Sequence, residues 1–215
     1  MVVDSAAILN GLSRAFLLFL IASGLSLIFG LMGVVNFAHG AFYALGAYLA
    51  VFVFGFSDSF LVALFVAPFL VALVGIAAEA TAIRPLYGRD PIYQVLLTFG
   101  VSIVLDELIK FVWGADPLRL ATPAAIGGVA DFGFISYPAY RLFIIGFGLV
   151  VAAALWLFIQ RTRVGIIVRA GTLDSEMVEA MGINVRRVFT GMFGLGVGLA
   201  AVGGVVAAAL WLFIQ

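Results

Sequence analysis

Six long apolar runs, at about 8–32, 36–56, 60–83, 92–113, 138–160 and 188–214, are separated by short polar intervals and leave this chain few ways to fold. Each run is near the twenty or so residues that a helix needs to cross about 30 Å of hydrocarbon. Surrounded by lipid, the backbone must satisfy its own hydrogen bonds, and a helix does so within one segment. The expected fold class is therefore all-α: a polytopic helical membrane protein of about six transmembrane helices, forming one membrane domain over residues 1–215. With 65% hydrophobic and 10% charged residues, too little polar surface exists to coat a soluble globule. The formal net charge of zero gives no general attraction to nucleic acid. The absence of cysteine removes disulfides and thiol chemistry from consideration. The start, MVVDSAAILNGLSRAF, lacks the basic residues and cleavage site of a signal peptide and is expected to run on into the first span.

The basic residues set an orientation. Arg84 and Arg89 lie between the third and fourth runs. Arg161, Arg163, Arg169, Arg186 and Arg187 lie between the fifth and sixth. Positive loops stay on the cytoplasmic side, so both intervals are expected inside, with the N-terminus, the Ser57–Ser59 turn and the Trp113–Tyr137 stretch outside. Asp116, Arg119 and Asp131 give that outer stretch one net negative charge, and Trp113 and Tyr137 at its edges are expected in an interfacial aromatic belt.

The longest polar interval is Arg161–Val188, RTRVGIIVRAGTLDSEMVEAMGINVRRV. Ile166, Ala170, Leu173, Met177 and Ala180/Met181 recur at the three-and-four spacing of one helical stripe. Asp174 is a candidate N-cap, Glu176 favours the positive end, Gly182 can stop the helix and Asn184 can cap the next one. About two turns of amphipathic helix, roughly 12 Å, are expected between two spans. Such an element is either a docking surface or a solvated loop that happens to be helical.

Three intramembrane features have more than one reading. Gly33–Gly40, GVVNFAHG, is too short to hold separate structure, and Asn36 and the single histidine, His39, need partners at membrane depth. Asn36 can cap the second helix while His39 packs as a satisfied core residue; alternatively, unwound backbone lines a polar pathway. Glu79 is five residues before Arg84 and is expected in a structural ion pair. Asp106 and Glu107 point about 100° apart on a helix, so they form no paired acid–base site, and Asp106 can pair with Lys110 four residues on. In the last run, Gly194-xxx-Gly198 and Ala200-xxx-Gly204 are faces that let helices approach closely.

The pieces Gly24–Gly30, MGVVNFAHGAFYALGAY (Met32–Tyr48), RPLYGRDP (Arg84–Pro91), DELIKFVWG and RTRVGIIVRAG…EMVEAMGINVRRV occur in an order and spacing that resembles the permease subunits of branched-chain amino acid ABC importers, to about Gly204. The resemblance implies a transport subunit without an ATPase site, a cofactor or a catalytic or metal residue, in the bacterial inner membrane. Its implied partners are cytoplasmic ATP-binding subunits, a second related permease and a periplasmic substrate-binding protein. The loop at about 165–183 becomes the coupling helix seated in the ATPase, through Arg169, Leu173, Glu176 and Met177. Glu179, Ala180, Met181 and Gly182 take the place of the family's Glu-Ala-Ala loop signature, from which Met181 departs. Asn36, His39 and Gly40 fall in a signature near the translocation route. Branched-chain amino acids are the implied substrates; urea and short amides use similar permeases.

VVAAALWLFIQ occurs twice unchanged, at Val150–Gln160 and Val205–Gln215, with flanks that do not match. Repeated fold units preserve pattern rather than eleven identities, so this is not an internal duplication. Family permeases continue with about two further spans, so the chain resembles a truncated or rearranged member. A self-sufficient carrier would need an intramembrane ion site, for which only Glu79, Asp106 and Glu107 are available. An intramembrane enzyme would need a nucleophile–base or metal set that one histidine does not supply.

Overall fold

The computed structural model describes residues 5–114, 116, 120, 123, 126–131 and 136–210. Arg119 and residues 211–215, the tail of the second VVAAALWLFIQ copy, lie outside them. The chain runs α1 (Ser5–Met32), α2 (His39–Ser57), α3 (Phe60–Ala78), α4 (Pro91–Trp113), β1 (Val129–Asp131), β2 (Ser136–Pro138), α5 (Ala139–Arg161), α6 (Arg163–Leu173), α7 (Ser175–Ala180) and α8 (Val185–Leu210). The strands form an antiparallel ribbon with Ala130 opposite Tyr137.

The helix ends follow from local chemistry. Gly33, Gly114 and Gly182 adopt the positive φ that closes α1, α4 and α7. The Asp90 carboxylate accepts from the Ile92 N–H at 3.0 Å, with Pro91 opening α4. The Thr162 hydroxyl accepts from the Gly165 N–H at 3.0 Å, starting α6 one residue after α5 ends.

Among the described residues, five helices are long and apolar enough to cross a membrane: Ser5–Met32, His39–Ser57, Phe60–Leu86, Ala139–Arg161 and Val185–Leu210. The sixth long helix, α4, has 23 residues and carries Asp106, Glu107 and Lys110 near its C-terminal end. Lys110 pairs with Glu107 at 2.7 Å rather than with Asp106, although both spacings put the partners on one helix face. A second expectation also changes. Tyr137 is not in an interfacial belt but is buried at 3% exposure, its hydroxyl donating to Asn10 Oδ1 at 2.9 Å. Arg141 donates to the same oxygen, so the N-terminal end of α5 is fastened to α1. Trp113 packs on Tyr48 and Phe52, with ring centroids 5.9 and 6.4 Å apart.

The core is organised around α8, whose small residues receive α1, α2 and α3 on separate faces. Gly196 abuts the Gly24 carbonyl and Ile28 of α1, Gly204 the Tyr43 carbonyl of α2, and Gly194 Ile76 of α3. Lipid supplies no hydrophobic drive between helices, so association depends on close backbone approach and shape, which glycine permits. Glycine as packing surface, expected for this run, is what the structure uses. By contrast α4 and α5 turn Val104, Phe111, Val150 and Trp156 outward, the surface that hydrocarbon accepts.

Candidate functional site

Two regions hold the expected functional residues. The first is α6–α7, between the end of α5 and the start of α8. The expected stripe is divided between two helices, because Asp174, the expected N-cap, takes an extended backbone conformation (φ −156°, ψ 97°) that ends α6 and caps α7. Its carboxylate accepts from the Met177 N–H at 2.9 Å. Asn184 caps α8 in the same way, from the Arg187 N–H at 3.1 Å. With six residues, α7 is nearer 9 Å long than the 12 Å expected, because it stops at Ala180, with Met181 as its C-cap ahead of Gly182.

Each short helix is seated by one small apolar residue. Val168 packs with Leu31 of α1 and Met192 of α8, and Val178 is 4% exposed. Sequence periodicity passed over both, since their neighbours are equally apolar. Gly165 sits against the Phe158 and Ile159 carbonyls, where a Cβ would clash, so the tight α5–α6 corner requires glycine. Arg169 reaches back to the Ile159 carbonyl and, at 3.3 Å, to Gln160 Oε1, closing the end of α5. What remains outward is apolar: Leu173 is 89% exposed, Met181 74% and Met177 59%. Glu176, Glu179, Ala180 and Gly182 are exposed around them.

Next to this surface, α3 is clamped to α8. After Ala78 the helix widens into a π-helical turn, Glu79–Ile83, and narrows to a 3-10 turn, Arg84–Leu86. Residues five apart diverge by about 140° on an α-helix at 3.6 residues per turn. The wider turn brings Glu79 and Arg84 together instead, with Arg84 Nη2 2.9 Å from Glu79 Oε2. Nη2 also donates to Thr190 Oγ1 of α8 at 2.6 Å, and Tyr87 donates to Glu79 Oε1 at 2.6 Å. Burial, and then the carboxylate beside it, hold the Tyr87 phenol above its ordinary pKa and keep it a donor. The expected ion pair is present; Tyr87 and Thr190 were missed, since neither spacing nor charge marks a hydroxyl partner. In a double-variant cycle on thermal midpoint, Arg84→Ala should be the more damaging single change, because it leaves a fully buried carboxylate without its cation. Adding Glu79→Gln should recover part of that loss. Strict additivity would show that the clamp is not a coupled unit.

The second region is the break between α1 and α2. The His39 Nε2 lies 2.9 Å from the Ile21 carbonyl, and Ile21 precedes the end of α1 by eleven residues, or about 16 Å along the helix. Residues 33–38 therefore run back beside α1, and α2 begins at membrane depth. This stretch is non-helical and its burial alternates, burying Val34, Asn36 and Ala38 and exposing Val35 and Phe37. Thr98 of α4 accepts from the Phe37 N–H at 3.2 Å. Asn36 Oδ1 accepts from the Ala38 N–H at 3.1 Å. Asn36 Nδ2 and His39 Nδ1 are buried without a hydrogen-bond partner. The backbone here is unwound, as one reading expects, while His39 is buried and bonded through one ring nitrogen and Asn36 bonds the N-terminal end of α2, as the other expects. Gly40 is exposed beside His39. Among the described residues no group of three His, Cys, Asp or Glu side chains could hold a metal ion.

A family model described as branched-chain amino acid transport system / permease component matches residues 7–215. The chain is similar to the high-affinity branched-chain amino acid transport system permease protein BraD of Pseudomonas aeruginosa, 32% identical over 93% of this chain and 69% of that protein. It is also similar to the permease protein LivH of Escherichia coli, 29% identical over 92% of this chain and 68% of that protein. A probable LivH of Methanocaldococcus jannaschii is 26% identical over 87% of this chain and 61% of that protein. No solved structure matches.

Proposed function

Because this chain belongs to the branched-chain amino acid transport system permease family, we propose that it carries branched-chain amino acids through the inner membrane, driven by separate cytoplasmic ATP-binding subunits docked on α6–α7. It is a multi-pass membrane permease component, and it supplies a path and a mechanical link rather than chemistry. A second, related permease and a periplasmic substrate-binding protein complete the assembly in this reading.

The observation that carries the proposal is the apolar tip of Leu173, Met177 and Met181, left bare on a short element whose other side is pinned to α1 and α8. A helix with such a tip docks by laying it in an apolar groove. Force on α6–α7 passes to α5 through the Thr162–Gly165 corner and to α8 through the Asn184 cap. From α8 it reaches α3 through Thr190 and Arg84, so the bundle can rock as connected rods.

The chain contains no cysteine, so Met177→Cys creates a single label site. A membrane-impermeant maleimide should reach it only from the cytoplasmic side, and co-expressed ATP-binding subunits should protect it. Labelling from the outside would end the proposal.

A further inference from the structure

We propose that the membrane-embedded start of α2, with Asn36 and His39, is a station for the zwitterionic head of an α-amino acid on its way through the permease. The ligand class rests on the transport reading above; the site rests on geometry.

The first turn of a helix presents unpaired N–H groups and the positive end of the helix dipole, which suits a carboxylate. A discontinuous helix places that end inside a membrane, where few other groups can meet an anion. Here α2 has no side-chain cap: its N-cap residue is Ala38. The Asn36 carboxamide lies on this end, because its oxygen is bonded to the Ala38 N–H, and its nitrogen is left as a donor with no acceptor. Asn36 is 3% exposed and His39 4%, so neither group is satisfied by bulk water. Buried polar atoms of this kind are seldom left unpaired, and a site that uses them in one state of a cycle accounts for the vacancy in another.

The histidine supplies the complementary half. Its Nε2 faces the Ile21 carbonyl and so carries the proton, which makes Nδ1 of the neutral ring an acceptor. Nδ1 is the second unpaired atom. One donor at a positive helix end and one acceptor on the first residue of that helix match a carboxylate and an ammonium on adjacent atoms of one ligand. Gly40, the next residue of the helix, is exposed, and an added Cβ there would meet no atom within 4 Å. A first turn carrying glycine there lets a ligand head come close to the backbone. Val35 and Phe37, which face outward on the same segment, leave apolar surface beside it for a branched side chain.

His39 is also the probe, since it is the only histidine in the chain. The full chain, carried in lipid nanodiscs without a histidine tag and labelled with imidazole-15N histidine, gives one pair of ring nitrogen signals. L-leucine should shift the Nδ1 signal saturably. L-leucinamide, lacking the carboxylate, and 4-methylpentanoate, lacking the ammonium, should each bind at least about tenfold more weakly, the loss of one charge-assisted hydrogen bond. Asn36→Ala should weaken L-leucine to a similar degree. No shift, or the same shift with all three compounds, overturns the station and leaves ordered water as the partner of both atoms. Uptake of L-leucine by the assembled transporter, measured in parallel, separates the two readings. A silent His39 with intact uptake sinks the station alone, whereas a responsive His39 without uptake keeps the station and sinks the transport reading.

Discussion

Replacing Gly196 with leucine should abolish the folded protein, while leucine at Gly146 should leave it intact. At Gly196 even a Cβ would lie 2.7 Å from the Gly24 carbonyl oxygen and 2.6 Å from Ile28 Cγ1. A carbonyl oxygen in a helix has no rotamer to turn aside, so the remaining three carbons force α1 off α8. Over-packing a close-fitted core costs about 1–3 kcal/mol when side chains can adjust. Here the obstacle is backbone, and α8 must also keep α2 seated at Gly204 and α3 at Gly194. The loss should thus exceed that range and consume much of the roughly 5–15 kcal/mol that holds a domain together. At Gly146, on α5, a Cβ meets nothing within 4 Å. Monodisperse yield in detergent and thermal midpoint are the readouts. A folded Gly196→Leu protein would show that α8 is not the packing axis.

The second large effect is expected on coupling. Leu173→Asp combined with Met177→Asp should leave membrane level and thermal midpoint unchanged and cut ATP-driven uptake by at least about tenfold. Neither side chain packs inside the bundle, since Leu173 is 89% and Met177 59% exposed, so folding has little to lose. Docking has much to lose: pressing an unpaired carboxylate into an apolar groove costs more than the ~1.4 kcal/mol that corresponds to tenfold. Val178→Asp is the contrast. That residue is buried, so its variant should lower the thermal midpoint as well as uptake. Coupled uptake at the normal rate by the double variant would disprove docking through this tip.

How far the fold can be read from the sequence depends on which interactions leave a pattern. Helices do, because a chain in hydrocarbon has few other options, and so do caps: Asp174, Gly182 and Asn184 act where they were expected. Burial does not. The repeated stretch VVAAALWLFIQ makes this plain: Val150 is 66% exposed on α5, while Val205, the same residue of the second copy, is fully buried on α8. When the solvent is as apolar as the core, hydrophobic residues no longer mark the inside, and the glycines of α8 are the better guide. At the α1–α2 break, Asn36 and His39 stood out as polar, but their partners are the main chain of Ile21 and Ala38, which no side-chain pattern reveals.

The non-helical stretch between α1 and α2 has a consequence for α4. A crossing that lacks helix over part of its depth bares amide groups to oil unless something else shields them, and here Thr98 covers the Phe37 N–H. Of the six long helices, α4 carries the charge cluster near its C-terminal end and buries only Gln94, Thr98, Leu105 and Ile109. Greasy contact alone would hold it loosely. It stays because the gap beside it needs a hydroxyl, so the rod least at home in the bilayer is moored by another rod's missing rungs.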